Sequence, residues 1–290
     1  MTPSMAAMQD ALLDWAATAH RDLPWRRTRD PWAVVVSELM LHQTQVARVV
    51  PRYELFLRRF PTPAACAAAP VGEVVREWTG LGYNRRAVNL HRAATAVVER
   101  HGGRLPADLG GLLELPGIGP YTARAVMAFA HEADVGVLDT NAARVVARTI
   151  GRRLAGREAQ RRADSLVPAG QGWSWNQAVL DLGAGVCTKR APRCYRCPVS
   201  RWCAWRAAGR PEPDPAVGSA GTTGAQPIFA GSDREGRGRL VRALCQGPVP
   251  VGAVGAACGW PDDEDRAARV VGALVAEGLA TLDAGVVRLP

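Results

Sequence analysis

LGGLLELPGIGPYTARAVMAFA, residues 109–130, sets Gly117 and Gly119 one residue apart between two apolar stretches of helical period. Two glycines so placed permit a tight turn, and their exposed amides, together with the next helix N-terminus, can cradle a phosphate. Taken by itself the pattern is more often an ordinary helix-turn-helix corner. Outward from it, Ala-, Leu- and Val-rich segments of helical period alternate with breaks at Pro24, Pro61, Pro70, Gly80 and Gly102, without convincing alternating strands. The first two thirds of the chain therefore read as all-α.

The whole chain, 290 residues with 48% hydrophobic and 22% charged, suits roughly two soluble domains. Its start carries Asp10 and Asp14 and lacks a basic region before an apolar one, so no secretory signal is expected and the cytoplasm is the default compartment. A formal charge of +9 suits a polyanionic partner such as nucleic acid. From Asp233 to Pro290 seven Arg face eight Asp and Glu, so the basic excess belongs to the earlier part.

The Pro-, Gly- and Ser-rich stretch 208–238 reads as a flexible linker between a domain over 1–207 and a module over 239–290. In that module Leu240 to Cys245, Val251 to Trp260 and Arg266 to Gly278 predict three short helices. Two short runs in LATLDAGVVRL follow, around a turn containing Asp283 and Gly285. The order suggests a winged-helix-like α+β module, whose mild acidity argues against strong phosphate binding and leaves a protein contact or structural support.

Four of the seven cysteines, Cys187, Cys194, Cys197 and Cys203, fall within seventeen residues at gaps of six, two and five. Crowded thiols in a cytosolic protein are more often metal ligands than disulfides. The spacing admits zinc and a [4Fe–4S] cluster alike. Cys66, Cys245 and Cys258 stand singly in apolar contexts and read as small buried side chains.

Two carboxylates draw notice. Asp30-Pro31 begins a helix over PWAVVVSELMLHQTQV in which Glu38 is the one formally charged residue. Glu38 is either an outward surface group or a carboxyl among Val34, Val35, Leu41 and His42, where burial without a partner would keep it protonated as a general acid requires. Asp139 precedes the helical AARVVARTI and locally reads as an N-cap.

Together, the cysteine gaps, the glycine hairpin about seventy residues upstream and the string Ser37 to Val46 resemble the endonuclease III and MutY branch of helix-hairpin-helix DNA glycosylases. The resemblance covers roughly Leu12 to Ala207. It implies a two-lobed fold, with a six-helix lobe over about 30–135 and an iron–sulfur lobe formed by the N-terminal helix and 136–207. It further implies that the four cysteines hold a [4Fe–4S] cluster of structural or redox role, with Lys189 and Arg190 near the DNA backbone.

Cleaving an N-glycosidic bond calls for one acid to protonate the leaving base and one carboxylate to face the oxocarbenium-like sugar. By the resemblance Glu38 protonates N7 of adenine, Asp139 faces the cation, and Tyr121 and Asn141 position groups around both. Trp25, Arg26 and His42 line the base pocket. Gln43, Leu81 and Tyr83 act at the base stack, and Leu115, Gly117, Ile118, Gly119 and Thr122 meet the DNA.

Bifunctional relatives carry a lysine just after the hairpin, where Tyr121 stands here, and the single lysine is Lys189. The resemblance thus implies a monomeric, monofunctional glycosylase removing adenine opposite 8-oxoguanine or guanine. Three departures are His42 for a usual glutamine, Asn84 for a common second tyrosine, and a C-terminal region too short for the NUDIX-like domain that reads 8-oxoguanine. They keep open a pyrimidine-directed glycosylase for uracil, thymine or 5-hydroxymethyluracil. A non-catalytic iron–sulfur DNA-binding regulator is a third reading.

Overall fold

A computed structural model describes residues 4–219 and 228–290. The chain divides into two compact units, one of Met1–Val34, Ala107–Leu109 and Gly119–Ala225, the other of Val35–Pro106, Gly110–Ile118 and Gln226–Pro290. The division falls inside the second helix and inside the hairpin, whereas the resemblance implied boundaries near 30 and 135. Among the described residues no helix is long and apolar enough to cross a membrane.

Helices run in the order α1 (Met5–Ala19), α2 (Pro31–Leu41), α3 (Val46–Arg59), α4 (Pro63–Ala68), α5 (Val71–Glu77), α6 (Arg85–His101), α7 (Leu109–Leu113) and α8 (Pro120–Ala130). They continue with α9 (Thr140–Ile150), α10 (Gly156–Ser165), α11 (Gly172–Gly185), α12 (Ala204–Ala207), α13 (Asp233–Gln246), α14 (Val254–Cys258) and α15 (Glu264–Ala276).

The first unit is built on α1, α9 and α11. Met8, Leu12 and Ala16, spaced by one helical turn, put one face of α1 against Val145 and Val146 of α9 and Trp175, Ala178 and Leu182 of α11. Each buried Leu or Val side chain contributes about 1.5–3 kcal/mol from withdrawn apolar area. The segment after α1 is fixed by charge. Arg26 donates from Nη1 and Nη2 to the two Asp181 oxygens at 2.7 and 2.9 Å, Arg21 donates from Nε at 2.5 Å, and His20 lies 3.3 Å away. Burial alone would raise the Asp181 pKa, but the bonds and charges of Arg26 and then Arg21 prevail and hold it below the usual range.

The stretch expected to be a flexible linker is docked over its described first part. Asp214 pairs with buried Arg148 of α9 at 2.5 Å, Trp205 donates to the Pro211 carbonyl at 2.9 Å, and Leu154 N donates to Ser219 Oγ at 3.2 Å. Its last part is helical, because α13 already begins at Asp233. Residues 220–227 lie outside the described residues.

In the second unit α6 packs on α4 and α5, and α13 packs on α5. Strands β1 (Val249–Pro250), β2 (Thr281–Asp283) and β3 (Val286–Arg288) form an antiparallel sheet in the order β1-β3-β2. Val287 pairs with both Val249 and Leu282. Ala284 and Gly285, with φ of 46° and 74°, make the two-residue turn between β2 and β3, a backbone that suits the right-handed strand twist. Gly72 N at the start of α5 donates to the Pro290 carbonyl at 2.9 Å, and a Cβ at position 72 would stand 2.6 Å from that oxygen. The C-terminal module is therefore seated on the α5 end of its unit rather than tethered at a distance.

Replacing Asp181 by Asn should destabilise the protein by about 3–5 kcal/mol at neutral pH, since it leaves Arg26 buried without its charge partner. Because the Asp181 pKa is lowered by folding, this stabilisation is present above the unfolded carboxyl value of about 3.9 and fades as pH falls through the lower folded value. Urea unfolding of both proteins at pH 7 and pH 3 checks it. The difference should shrink at pH 3, and equal midpoints at pH 7 would show that the ion pair holds nothing.

Candidate active site

Asp30 caps α2 by accepting hydrogen bonds from Trp32 N and Ala33 N at 3.3 and 3.0 Å, with Pro31 in the first turn. Every residue from Trp32 to Met40 is buried. Glu38, 4% exposed, therefore sits inside the second unit, and the surface reading of this carboxylate is excluded. His42 follows half-buried, and burial first, then the Arg86 charge, lowers its pKa.

One residue that sequence reasoning missed organises this end of α2. Arg86, buried in the first turn of α6, donates from Nη1 to the carbonyls of Leu39, Met40 and His42 at 2.6, 2.9 and 2.7 Å. Its Nη2 donates to Thr44 Oγ1 at 3.0 Å and Gly82 O at 2.8 Å, and its Nε to Tyr83 O at 3.3 Å. The guanidinium satisfies carbonyls that a helix C-terminus leaves open and binds the loop 81–83 to them. Burial brings its pKa down to about 10. A signal existed in the sequence, because Arg86, Leu90, Ala93 and Val97 form one helical stripe whose other members are apolar.

In that loop Leu81 is 2% exposed and Tyr83 44%. Leu81, expected at the base stack, is instead the loop's anchor in the core, and Tyr83 is the side chain presented outward. Tyr83 and Gln43 have φ of 48° and 54°, left-handed conformations that cost a non-glycine residue about 1–3 kcal/mol and cluster at functional sites. Gln43 is exposed.

The hairpin between α7 and α8 turns at Gly117, whose φ is 78°. A Cβ there would stand 2.6 Å from Asn89 Cβ, so only glycine serves. Gly117 is exposed and Gly119 half-buried, with no atom within 4 Å of the place a Gly119 Cβ would take. Leu115, Ile118 and Thr122 are buried. Their burial leaves the backbone as the part of this segment that can meet a phosphate, as the glycine pair suggested.

The other carboxylate lies in the first unit. Asp139 caps α9, accepting from Asn141 N at 2.8 Å, Ala142 N at 2.6 Å and Asn141 Nδ2 at 3.0 Å. Burial raises its pKa, while these bonds and the Arg144 charge pull the other way. Asn141 Oδ1 accepts from Arg144 Nη2 at 2.7 Å, and Arg144 Nε donates to the Cys187 carbonyl at 2.7 Å. Asp139 is thus the N-cap of α9 that its local sequence predicted. Tyr121 is half-buried in the first turn of α8. Trp25 is buried, and the Arg26 guanidinium, expected in a base pocket, bonds to Asp181 instead.

Cys187, Cys194, Cys197 and Cys203 line one cavity with Arg148, and none is in a disulfide. Arg148 Nη1 donates to Cys187 Sγ at 3.3 Å. Burial pushes the Cys187 and Cys203 thiols up and takes Cys197 to about 12. Lys189, Arg190, Arg193, Arg196 and Arg201 are exposed around them. Among the described residues no three His, Cys, Asp or Glu side chains gather so as to hold a single metal ion.

The second unit thus holds a buried glutamate and a tyrosine on a left-handed loop, and the first an aspartate that caps a helix. Residues 36–168 match the HhH-GPD superfamily of base excision DNA repair proteins. The chain is 43% identical over 279 residues to an adenine DNA glycosylase of Mycobacterium tuberculosis, covering 93% of this chain and 89% of that one. It is 38% identical to a thymine/uracil-DNA glycosylase of Pyrobaculum aerophilum over 66% of this chain and 88% of that one. Among solved structures it resembles a thermostable thymine-DNA glycosylase with a TM-score of 0.67 and 30% identity, covering 70% of this chain and 97% of that one. The chain belongs to the helix-hairpin-helix base-excision glycosylases, and within them to the MutY-like group.

Arg86→Met should lower the unfolding free energy by about 3 kcal/mol or more, because several buried carbonyls lose their donor at once. Arg86→Lys should not restore it, since an ammonium has three donors and no planar fork. Chemical denaturation reads both, and full rescue by lysine would show that charge alone suffices.

Proposed function

We propose that the protein is a monofunctional, monomeric DNA glycosylase that removes adenine mispaired with 8-oxoguanine or guanine. The observation that carries this reading is the similarity to an adenine DNA glycosylase over 93% of the chain, which reaches into the C-terminal module. A base inside a duplex is out of reach of any side chain, so it must be turned out of the stack at a cost of a few kcal/mol. Tyr83 and Gln43, presented on a loop held by Arg86, are suited to fill the gap, and the amides at Gly117 and Gly119 to hold a phosphate.

Glu38 then donates a proton to N7 of the adenine as the N-glycosidic bond breaks and its electron pair leaves with the base. The carboxylate of Asp139, whose charged form the Asn141 and Ala142 amides favour against the burial that raises its pKa, faces the positive charge that develops on the sugar. Water adds at C1′ and passes its proton to the Glu38 carboxylate. Tyr121 offers no amine, and Lys189 stands exposed between the first two cysteines, so the product is an abasic site without strand cleavage.

A pyrimidine-directed reading is favoured by the thymine/uracil relative and the thymine-glycosylase likeness. Duplexes with A:8-oxoguanine, A:G, U:G, T:G and 5-hydroxymethyluracil, treated with hot alkali after incubation, separate the readings. Cleavage of pyrimidine substrates alone would overturn the adenine assignment.

The cavity lined by four undisulfided thiols suits a [4Fe–4S] cluster held by Cys187, Cys194, Cys197 and Cys203, with Arg148 donating to Cys187 Sγ. Such a group would supply structural cross-linking of the loop. The C-terminal module, three helices followed by a hairpin with β3 between β1 and β2, is winged-helix-like.

Glu38→Gln should slow single-turnover base release by about 10²–10⁴-fold while leaving DNA affinity in place, because a proton donor is lost and little else. Retained turnover would remove Glu38 from the chemistry. Borohydride trapping should give no covalent DNA adduct; an adduct as abundant as that of a lysine-bearing relative would contradict the monofunctional reading. The purified protein should be brown with broad visible absorption that Cys197→Ser abolishes, and a colourless, zinc-loaded sample would overturn the cluster.

A further inference from the structure

The near-neutral charge balance of the C-terminal module conceals a strongly one-sided arrangement. Entirely within the second unit, a groove of about 740 Å³ runs between the loop carrying Tyr83 and helix α13. Against the 30 Å³ or so that a water occupies in the liquid, it is far too large for a single small ion. One wall holds Gln43, Arg48 and the Gly80–Asn84 loop, and the other holds Arg234, Arg237, Arg239 and Arg242 from α13.

Five guanidinium groups line it against one carboxylate, Glu235. Arg239 pairs with Glu235 at 2.7 Å and Arg237 with Glu277. Asp262, Asp263, Glu264 and Asp265, which give the module its acidic sum, lie outside the lining. Counted against Glu235 and Glu277, the five guanidinium groups leave the groove with an excess of positive charge. Arg48 donates to the Gly80 carbonyl, so one of these cations is rigidly tied to the loop that presents Tyr83.

We propose that this groove is a second DNA-backbone channel, in which α13 of the C-terminal module and Arg48 grip consecutive phosphates of the strand that passes Tyr83. The proposal rests on the glycosylase reading for the choice of polyanion. Its physical basis is that Tyr83 and Gln43 line the same groove as Arg48 and the arginines of α13, so whatever nucleic acid the loop enters passes the guanidinium row. Phosphate contacts of this kind set register and affinity and carry no base preference. The expectation from sequence, that the module's mild acidity disfavours phosphate, is thereby reversed: a helix face, not a domain sum, meets the ligand.

The test is fluorescence anisotropy of the full chain on a labelled duplex containing an abasic analogue, across a salt series, with thermal melts confirming that each variant is folded. Neutralising Arg234 and Arg242 together to Gln should weaken binding about tenfold and make the slope of log K against log salt shallower by about two, one per lost phosphate contact. Arg234→Lys with Arg242→Lys should restore the slope. Glu235→Gln, which removes the one opposing carboxylate from the lining, should tighten binding several-fold.

Single-turnover base release at saturating DNA should be unchanged in all of these, because none touches Glu38 or Asp139. An unchanged salt slope and affinity in the double Gln variant, with base release intact, would overturn the channel and leave the glycosylase reading standing. Loss of slope in a protein that releases no base from any duplex would do the reverse.

Discussion

A buried guanidinium is the constraint on which the candidate site depends. Arg86 places its donors on the last carbonyls of α2 and on the carbonyls of Gly82 and Tyr83. Those helix carbonyls carry the negative end of the α2 dipole. The loop that turns the Gly82 and Tyr83 carbonyls toward the same cation has left-handed backbone at both residues, and the Tyr83 ring, 44% exposed, lies 5.5 Å from the guanidinium. The helix bearing Glu38 and the loop bearing Tyr83 are thus two clients of one charge. A rigid relation between an acid and a wedge is what positioning in catalysis requires.

A comparable economy governs the first unit. Helix α9 begins at Asp139 and carries Arg144 and Arg148, which reach back to the cysteine loop. Arg144 links the Asn141 amide to the Cys187 carbonyl, and Arg148 bonds to Cys187 Sγ, the Thr188 carbonyl and Asp214. Burial opposes the charge on Arg148, yet its bonds to Asp214 and Cys187 keep it above its usual range. The cysteine loop and the carboxylate assigned to the sugar therefore share one helix as their frame, and the stretch that follows the cysteines is clasped to it as well.

Much of this was legible before any coordinates. Asp30 and Pro31 announce the start of α2, the glycine pair announces the turn at 117, and the valine run around Glu38 matches a helix buried along nearly all its length. The solitary cysteines at 66 and 258 are buried as their apolar contexts suggested. Which atoms of a motif face outward was not legible. Leu81, Leu115, Ile118 and Thr122 sit in segments that read as ligand-facing, and their side chains are buried. A motif identifies a stretch of backbone, and alternate side chains on a turn necessarily face opposite ways.

Sequence by itself determined the helix-rich character, the starts of α2 and α9, the cysteine set and the chemical kinds of group available, because capping, periodicity and spacing are local properties read within a few residues. Tertiary structure alone decided which arginines are structural and which face a groove. In a one-dimensional reading Arg86 is set apart from the chain's thirty-five arginines only by its apolar helical stripe, and the bonds of Arg26 and Arg86 are not readable at all. Their roles follow from partners at positions 181 and 39–44, and α13 acquires its meaning only when packing sets it beside a loop some 150 residues earlier. Long-range electrostatics of this kind depends on distance in space, which chain separation does not encode.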